Sequence, residues 1–248
     1  MAETNVKVKV SNLTKKFGDL LVLDDISFEV KTGEFLCIVG PTGCGKTTFL
    51  NSLTKLYTPT SGEILVNNAP VDPEKQNISY IFQEYSAMPW LTVEENIRFG
   101  LEIKNIKKEV IRSRAERALE MVGLTEYRDY YPTQLSASML QRVVIARAFA
   151  TEPELLLMDE PYGQLDLELR FRLEDELLAL WEKTGTTVIF ITHNIEEAVY
   201  LGQNILVLTN KPTTIKELIH NDLPHPRDIS SEEFITMRNK VTDLIKWW

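Results

Sequence analysis

The 248 residues are enough for one large domain or for a core carrying an inserted subdomain, and 44% apolar content supplies a buried interior. A formal charge of -9 argues against a nucleic-acid partner, since phosphate-backbone binding needs Lys and Arg in surplus on one face. Residues 1–10 mix Glu3, Lys7 and Lys9 with apolar residues, unlike a signal peptide, and no apolar run approaches the roughly 18 to 20 residues of a membrane span. A cytoplasmic chain is expected, and any membrane pore it serves must come from another chain.

Val6, Val8 and Val10, then Leu21, Leu23, Ile26, Phe28 and Val30, suggest half-buried strands with turns at Phe17-Gly18-Asp19 and Lys31-Thr32-Gly33. Residues 35–39 form a continuous apolar run suited to a strand buried on both faces of a parallel sheet. That strand feeds Gly40-Pro41-Thr42-Gly43-Cys44-Gly45-Lys46-Thr47, which fits the G-x-x-x-x-G-K-[ST] pattern without mismatch. Thr48 follows, and Phe49, Leu50, Leu53 and Leu56 recur at helical spacing, so the loop joins a strand to a helix. Its glycines let successive N–H groups turn toward a β-phosphate, and the helix points its positive end there. Lys46 is expected to span the β- and γ-phosphates of a nucleotide, with the Thr47 hydroxyl on Mg²⁺. The only cysteines, Cys37 in the strand and Cys44 in the loop, read as reduced thiols.

Thr60-Ser61-Gly62 reads as a turn into a strand at 63–66, and 78–82 as another short strand. From about residue 85 to 150 the pattern turns helical, with Ile111, Ala115, Leu119 and Val122 on one stripe and 143–150 in a second segment. The core resumes with a buried strand at 155–158, a helix presenting Leu169, Leu173, Leu177 and Leu180, and the β-branched run 186–192. Strands alternating with helices imply a mainly parallel sheet. A final strand at 205–208 is expected to precede a Pro-containing stretch and a terminal helix bearing Phe234, Met237, Val241, Leu244 and Ile245 on one side.

Asp159 ends a buried strand, where a carboxylate needs a cationic partner, and the shell of a Mg²⁺ ion is the expected one. Glu160 follows as the candidate general base for an attacking water. The plainer alternative is that both carboxylates terminate the strand and cap the next turn. His193, directly after the strand at 187–192, stands at the edge where such sheets bind ligands, although a lone histidine there also suits a structural role.

The phosphate loop, then Leu135-Ser136-Ala137-Ser138-Met139-Leu140-Gln141-Arg142, then the strand ending in Asp159-Glu160, together resemble the ATP-binding subunits of ABC transporters. That resemblance covers nearly the whole chain. It implies an α/β fold: a P-loop NTPase (RecA-like) core with an N-terminal antiparallel β subdomain, an inserted helical subdomain at 86–150 and a tail with a helix at 210–248, all in one domain. It also implies that Phe17 stacks on adenine, that Gln83 reaches Mg²⁺ and the attacking water, and that His193 contacts the γ-phosphate. Asp166, in Pro161-Tyr162-Gly163-Gln164-Leu165-Asp166, resembles the D-loop that crosses the dimer interface. Ala137 and Ser138 stand where the family usually carries paired glycines, while Ser136 is kept. Asn194 replaces the aspartate often found after the histidine.

The resemblance further implies a second nucleotide-binding subunit, the same chain or another, meeting this one head to tail with ATP between one phosphate loop and the other Leu-Ser signature. Segment 83–91 is expected to engage a transmembrane permease from the inner face of the membrane, with an extracytoplasmic solute-binding protein as third component. Phe82-Gln83-Glu84, Met88-Pro89-Trp90-Leu91-Thr92-Val93, Asn96 and Leu223-Pro224-His225-Pro226-Arg227 resemble importers of nitrate, sulfonate, taurine or bicarbonate. Two rivals stand beside this reading. One is a regulatory ATP-binding subunit that hydrolyses weakly because of its altered signature. The other is a soluble enzyme phosphorylating a metabolite, which leaves Leu135-Ser136 and Gln141-Arg142 without a purpose.

Overall fold

The computed structural model describes residues 5–245 apart from 74, 85, 105 and 164, in two compact units: residues 77–184, and the chain before and after them. In the flanking unit, β1 (Val6–Phe17) and β2 (Leu20–Lys31) pair antiparallel, with register shifts that bend the hairpin. β3 (Phe35–Val39) is buried at every residue and runs into α1 (Lys46–Leu53). β4 (Ser61–Val66) and β5 (Ala69–Pro70) complete an antiparallel sheet of order β2-β1-β4-β5. Two expectations fail here. Leu56 lies beyond α1 and is exposed, because Lys55 takes a left-handed φ of 58° and turns the chain away. Ser61 and Gly62, expected in a turn, already belong to β4 and pair with β1 through Ser61.

Within 77–184, β6 (Ile78–Ile81) lies parallel to β7 (Leu155–Asp159), which is buried throughout. Between them come α2 (Val93–Ile103), α3 (Lys108–Met121) and α4 (Ala137–Ala150), with single 3-10 turns at Thr125–Tyr127 and Pro132–Gln134. Thr92 starts α2 with a reciprocal cap: its hydroxyl accepts from the Glu95 N–H, and the Glu95 carboxylate accepts from the Thr92 N–H. The stripe Ile111, Ala115 and Leu119 is the buried face of α3. α5 (Leu167–Thr184) buries Leu173, Leu177 and Leu180 as expected, whereas Leu169 sits half-exposed in its first turn.

Back in the flanking unit, β8 (Thr187–Ile191) runs parallel to β3 and is buried at every residue; α6 (Ile195–Leu201) and β9 (Asn204–Leu208), also parallel to β3, follow. β9 is not the last strand. β10 (Ile215–His220) returns antiparallel beside it, ahead of α7 (Glu232–Ile245). Its alternation of half-buried and exposed residues carries polar Lys216, Glu217 and His220, which hid it in a stretch read from its prolines. Phe234 and Val241 bury α7, while Met237, Leu244 and Ile245 stay half-exposed. Arg227 ties the tail to α6: Nη1 donates to the carbonyls of Val199 (2.7 Å), Tyr200 (2.9 Å) and Gly202 (2.8 Å), and Nε to Leu223 (3.0 Å). Burial draws this guanidinium down to about 10, yet it stays cationic at neutral pH and complements the carbonyl end of the helix. Among the described residues no helix is long and apolar enough to cross a membrane.

Candidate functional site

The phosphate loop of residues 40–48 enters α1 through a glycine that a Cβ would not fit. Gly45, the N-cap of α1, has φ 115°, and a Cβ there would stand 2.8 Å from Val22 Cγ1. Gly43, at φ 75°, would meet nothing within 4 Å, so the loop is open on that side. Lys46 is buried, and its Nζ donates to the carbonyls of Gly40 (3.0 Å) and Pro41 (3.2 Å). A cation folded over its own loop at a helix N-terminus suits a polyphosphate anion. Thr47 is exposed in the first turn of α1, and Thr42 is exposed on the loop. Behind the loop, the fully buried Thr213 donates its hydroxyl to the Cys44 carbonyl, a contact with no signature in sequence. Burial pushes the Cys44 thiol up against the lowering pull of Lys46, so it stays a neutral packing group.

Parallel register decides what shares an edge with this loop. Ile38 of β3 pairs with Ile191 of β8, and the Thr192 N–H donates to the Ile38 carbonyl at 3.2 Å. Gly40 and His193 therefore leave the same carboxyl edge, the side where open α/β sheets bind ligands. His193 is exposed. Asn194 caps α6, accepting from the N–H groups of Glu196 (2.9 Å) and Glu197 (3.4 Å), a job that an aspartate would do equally well.

The 77–184 unit repeats this arrangement. Ile81 of β6 pairs with Met158 of β7, so Gln83 and Glu160 emerge side by side at the carboxyl ends of two parallel strands. Gln83 is exposed. Asp159 is buried, and its Oδ2 accepts a hydrogen bond from the Tyr80 hydroxyl at 3.2 Å. Tyr80 escaped the sequence reading; the signal that could have found it is two short strands, each ending in a polar residue, in parallel register. Glu160 is half-buried with φ 46°, a left-handed conformation that a non-glycine residue adopts at a cost. Asp166 is exposed and accepts at Oδ1 from the Leu169 N–H at 3.0 Å, which places it at the start of α5. Gln164, in the same segment, lies outside the described residues.

Ser136 caps α4, its hydroxyl accepting from the Met139 N–H at 3.4 Å. The same hydroxyl lies 3.2 Å from that of Ser138, so the two share a hydrogen bond at the exposed helix terminus, with Ala137 between them. Leu135 precedes the cap half-exposed.

Segment 83–91, of which Tyr85 lies outside the described residues, is held from two sides. Arg147, whose basicity burial lowers, donates to the Ser86 carbonyl (2.8 Å) and hydroxyl (2.5 Å). Asn96 is fully buried; its Oδ1 accepts from the Met88 N–H (2.7 Å) and its Nδ2 donates to the carbonyls of Met88, Leu91 and Thr92 at 2.9–3.1 Å. So stapled, the turn presents Trp90 at 71% exposure rather than packing it among the helices. Asn96→Ala strands a buried N–H and carbonyls, each costing about 1–3 kcal/mol, and is expected to lower the thermal midpoint by about 5 °C or more. A calorimetric scan showing an unchanged midpoint would contradict this role. Phe17, at the end of β1, is 41% exposed and meets Tyr57 edge-to-face with ring centroids 5.2 Å apart.

A family model for the ABC transporter matches residues 23–163. The chain is 45% identical over 245 residues to an uncharacterized ABC transporter ATP-binding protein of Methanocaldococcus jannaschii, spanning 97% of this chain and 92% of that protein. It is 40% identical over 228 residues to the aliphatic sulfonates import ATP-binding protein SsuB of Bacillus cereus, spanning 92% and 90%. Among solved structures, cbiO1 from Clostridium perfringens, part of the ABC transporter complex cbiONQ, aligns with a TM-score of 0.80 and 26% identity over 96% of this chain and 95% of that one. A dimeric ATP-binding cassette in a post-hydrolysis state with ADP and Pi aligns with a TM-score of 0.75 and 33% identity over 86% and 98%.

Proposed function

Because this chain belongs to the ABC transporter family as an ATP-binding, ATP-hydrolysing cassette, we propose that it drives import of a small anion through a separate membrane permease. A sulfonate, taurine, nitrate or bicarbonate is the solute class. The name of the Bacillus cereus relative supports a sulfonate, and the resemblance of residues 82–84, 88–93 and 96 to such importers supports the wider class. The chain works on the cytoplasmic face, with a solute-binding protein delivering the anion from outside. The observation that supports its ATP-hydrolysing part is the strand-end geometry within each unit: phosphate loop and His193 beyond β3 and β8 in one, Gln83 and Asp159-Glu160 beyond β6 and β7 in the other.

In this account Lys46 exchanges its loop carbonyls for β- and γ-phosphate oxygens, and the N–H groups of residues 43–48 receive the remaining phosphate charge. Thr47, Gln83 and Asp159 would hold a Mg²⁺ ion, which would supply neutralisation of the phosphate charge. Tyr80 fixes the Asp159 carboxylate. Glu160 takes the proton of the attacking water, and His193 orients that water against the γ-phosphate. Ser136, Ala137 and Ser138 of a second nucleotide-binding subunit close the site, with Asp166 at the joint. Two surfaces bridged by one γ-phosphate open on its loss, which is the power stroke passed to the permease. Uptake of the four labelled anions by cells lacking this chain tests the reading. One uptake should vanish and return with the wild-type gene but not with Glu160→Gln; unchanged uptake of all four contradicts the solute class.

Trp90, at the tip of the stapled turn, is the contact through which the motion leaves the cassette. Trp90→Ala is expected to abolish coupling or assembly with the permease while ATP affinity stays at the wild-type value. Transport at the wild-type rate in that variant would contradict the contact.

A further inference from the structure

We infer that Tyr57 and Lys15 are positioning residues that set the Phe17 ring for the purine of ATP, an inference that rests on Phe17 being the base platform. The planes of Phe17 and Tyr57 cross at 82° with centroids 5.2 Å apart, the edge-to-face arrangement favoured by the aromatic quadrupole. Lys15 lies two residues before Phe17 on the same strand and so shares its face. Its ammonium stands 4.7 Å from the Phe17 centroid and 5.7 Å from that of Tyr57, within cation–π range of both. A hydrogen bond of 2.7 Å to the Thr58 carbonyl holds it there.

The strand leading to Phe17 is laced to the chain after α1. The Thr60 N–H donates to the Thr14 carbonyl (2.8 Å), and the Lys16 N–H to the Thr60 hydroxyl (2.9 Å). The Tyr57 N–H donates to the Asn51 carbonyl inside α1 at 3.0 Å. One continuous segment, 46–60, therefore begins with the phosphate-loop Lys46 and Thr47 and ends by fixing the ring at the base end. The two ends of the nucleotide site are spaced by α1 itself. A ring clamped this way loses little freedom when a purine stacks on it, so the clamp favours binding of the base without touching the phosphates.

Binding of ATP and of inorganic tripolyphosphate to the full chain, each with Mg²⁺, separates this from a general packing role. Tyr57→Leu is expected to weaken ATP binding about 2- to 12-fold, leave tripolyphosphate affinity unchanged, and add nothing to Phe17→Ala. Tyr57→Phe, which keeps the ring, should restore wild-type ATP affinity, and Lys15→Met should weaken ATP alone. Equal losses for both ligands in Tyr57→Leu, or an undiminished effect in the Phe17→Ala background, would overturn the inference while sparing the platform. Unchanged ATP affinity in Phe17→Ala removes the platform reading and this inference with it.

Discussion

Glu160→Gln is expected to bind ATP as the wild type does while hydrolysis in the active assembly falls about 10²- to 10⁴-fold, the range of a lost general base. The amide keeps the shape of the carboxylate and cannot take the proton of the attacking water. The backbone supports this choice over its acidic neighbour. Asp159 is buried and bonded to the Tyr80 hydroxyl, a place for a fixed ligand, whereas Glu160 sits half-buried in a left-handed conformation beyond the strand end. Such strain persists where the surrounding structure enforces it, commonly at functional positions. A phosphate-release assay of the assembled complex checks this; retention of more than about half the wild-type rate would remove Glu160 as the base.

Turnover about 10²-fold faster than wild type is the expected result for Ala137→Gly/Ser138→Gly in the same assembly. Paired glycines let a backbone approach phosphate closely, and each added Cβ limits both the approach and the accessible φ values. In this chain the Ser138 hydroxyl also shares a hydrogen bond with that of the retained Ser136, at 3.2 Å. Losing one well-placed donor at a transition state costs about 2.7–4 kcal/mol, which sets the size of the effect. A homodimer carries this weakness at both sites, and pairing with a subunit that has both glycines leaves one strong site. An unchanged rate in the double variant, beside a briskly active wild type, would make the alteration a tolerated one and remove the ground for a regulatory subunit.

Much of the architecture was legible because it rests on local patterns. The apolar runs that became β3, β7 and β8 are buried at every residue, as parallel strands covered on both faces must be. The phosphate loop was legible for a different reason: its glycines and lysine sit at spacings set by the ligand. The failures are contacts distant in sequence or polar in character. The residue types of β10 alternate too weakly to signal a strand, and α1 ends at Leu53, just ahead of a left-handed Lys55 that no helical stripe reveals. Thr92-Val93-Glu94-Glu95 does carry a readable start for α2, the serine/threonine-to-glutamate cap. Asn96 staples the Trp90 turn through four hydrogen bonds, and Thr213 braces Cys44 from 169 residues away; neither role follows from residue type or spacing.

The central claim, that ATP turnover in this chain is coupled to anion uptake through another protein, is tested most directly in proteoliposomes. These hold the permease and this chain, with ATP on the cassette side and the solute-binding protein carrying labelled alkanesulfonate, taurine, nitrate or bicarbonate on the other. The account predicts accumulation of one of these anions that requires ATP, stops with Glu160→Gln and is lost with Trp90→Ala. Accumulation that continues without ATP or with Glu160→Gln, or ATP hydrolysis with no movement of any of the four anions, would contradict it.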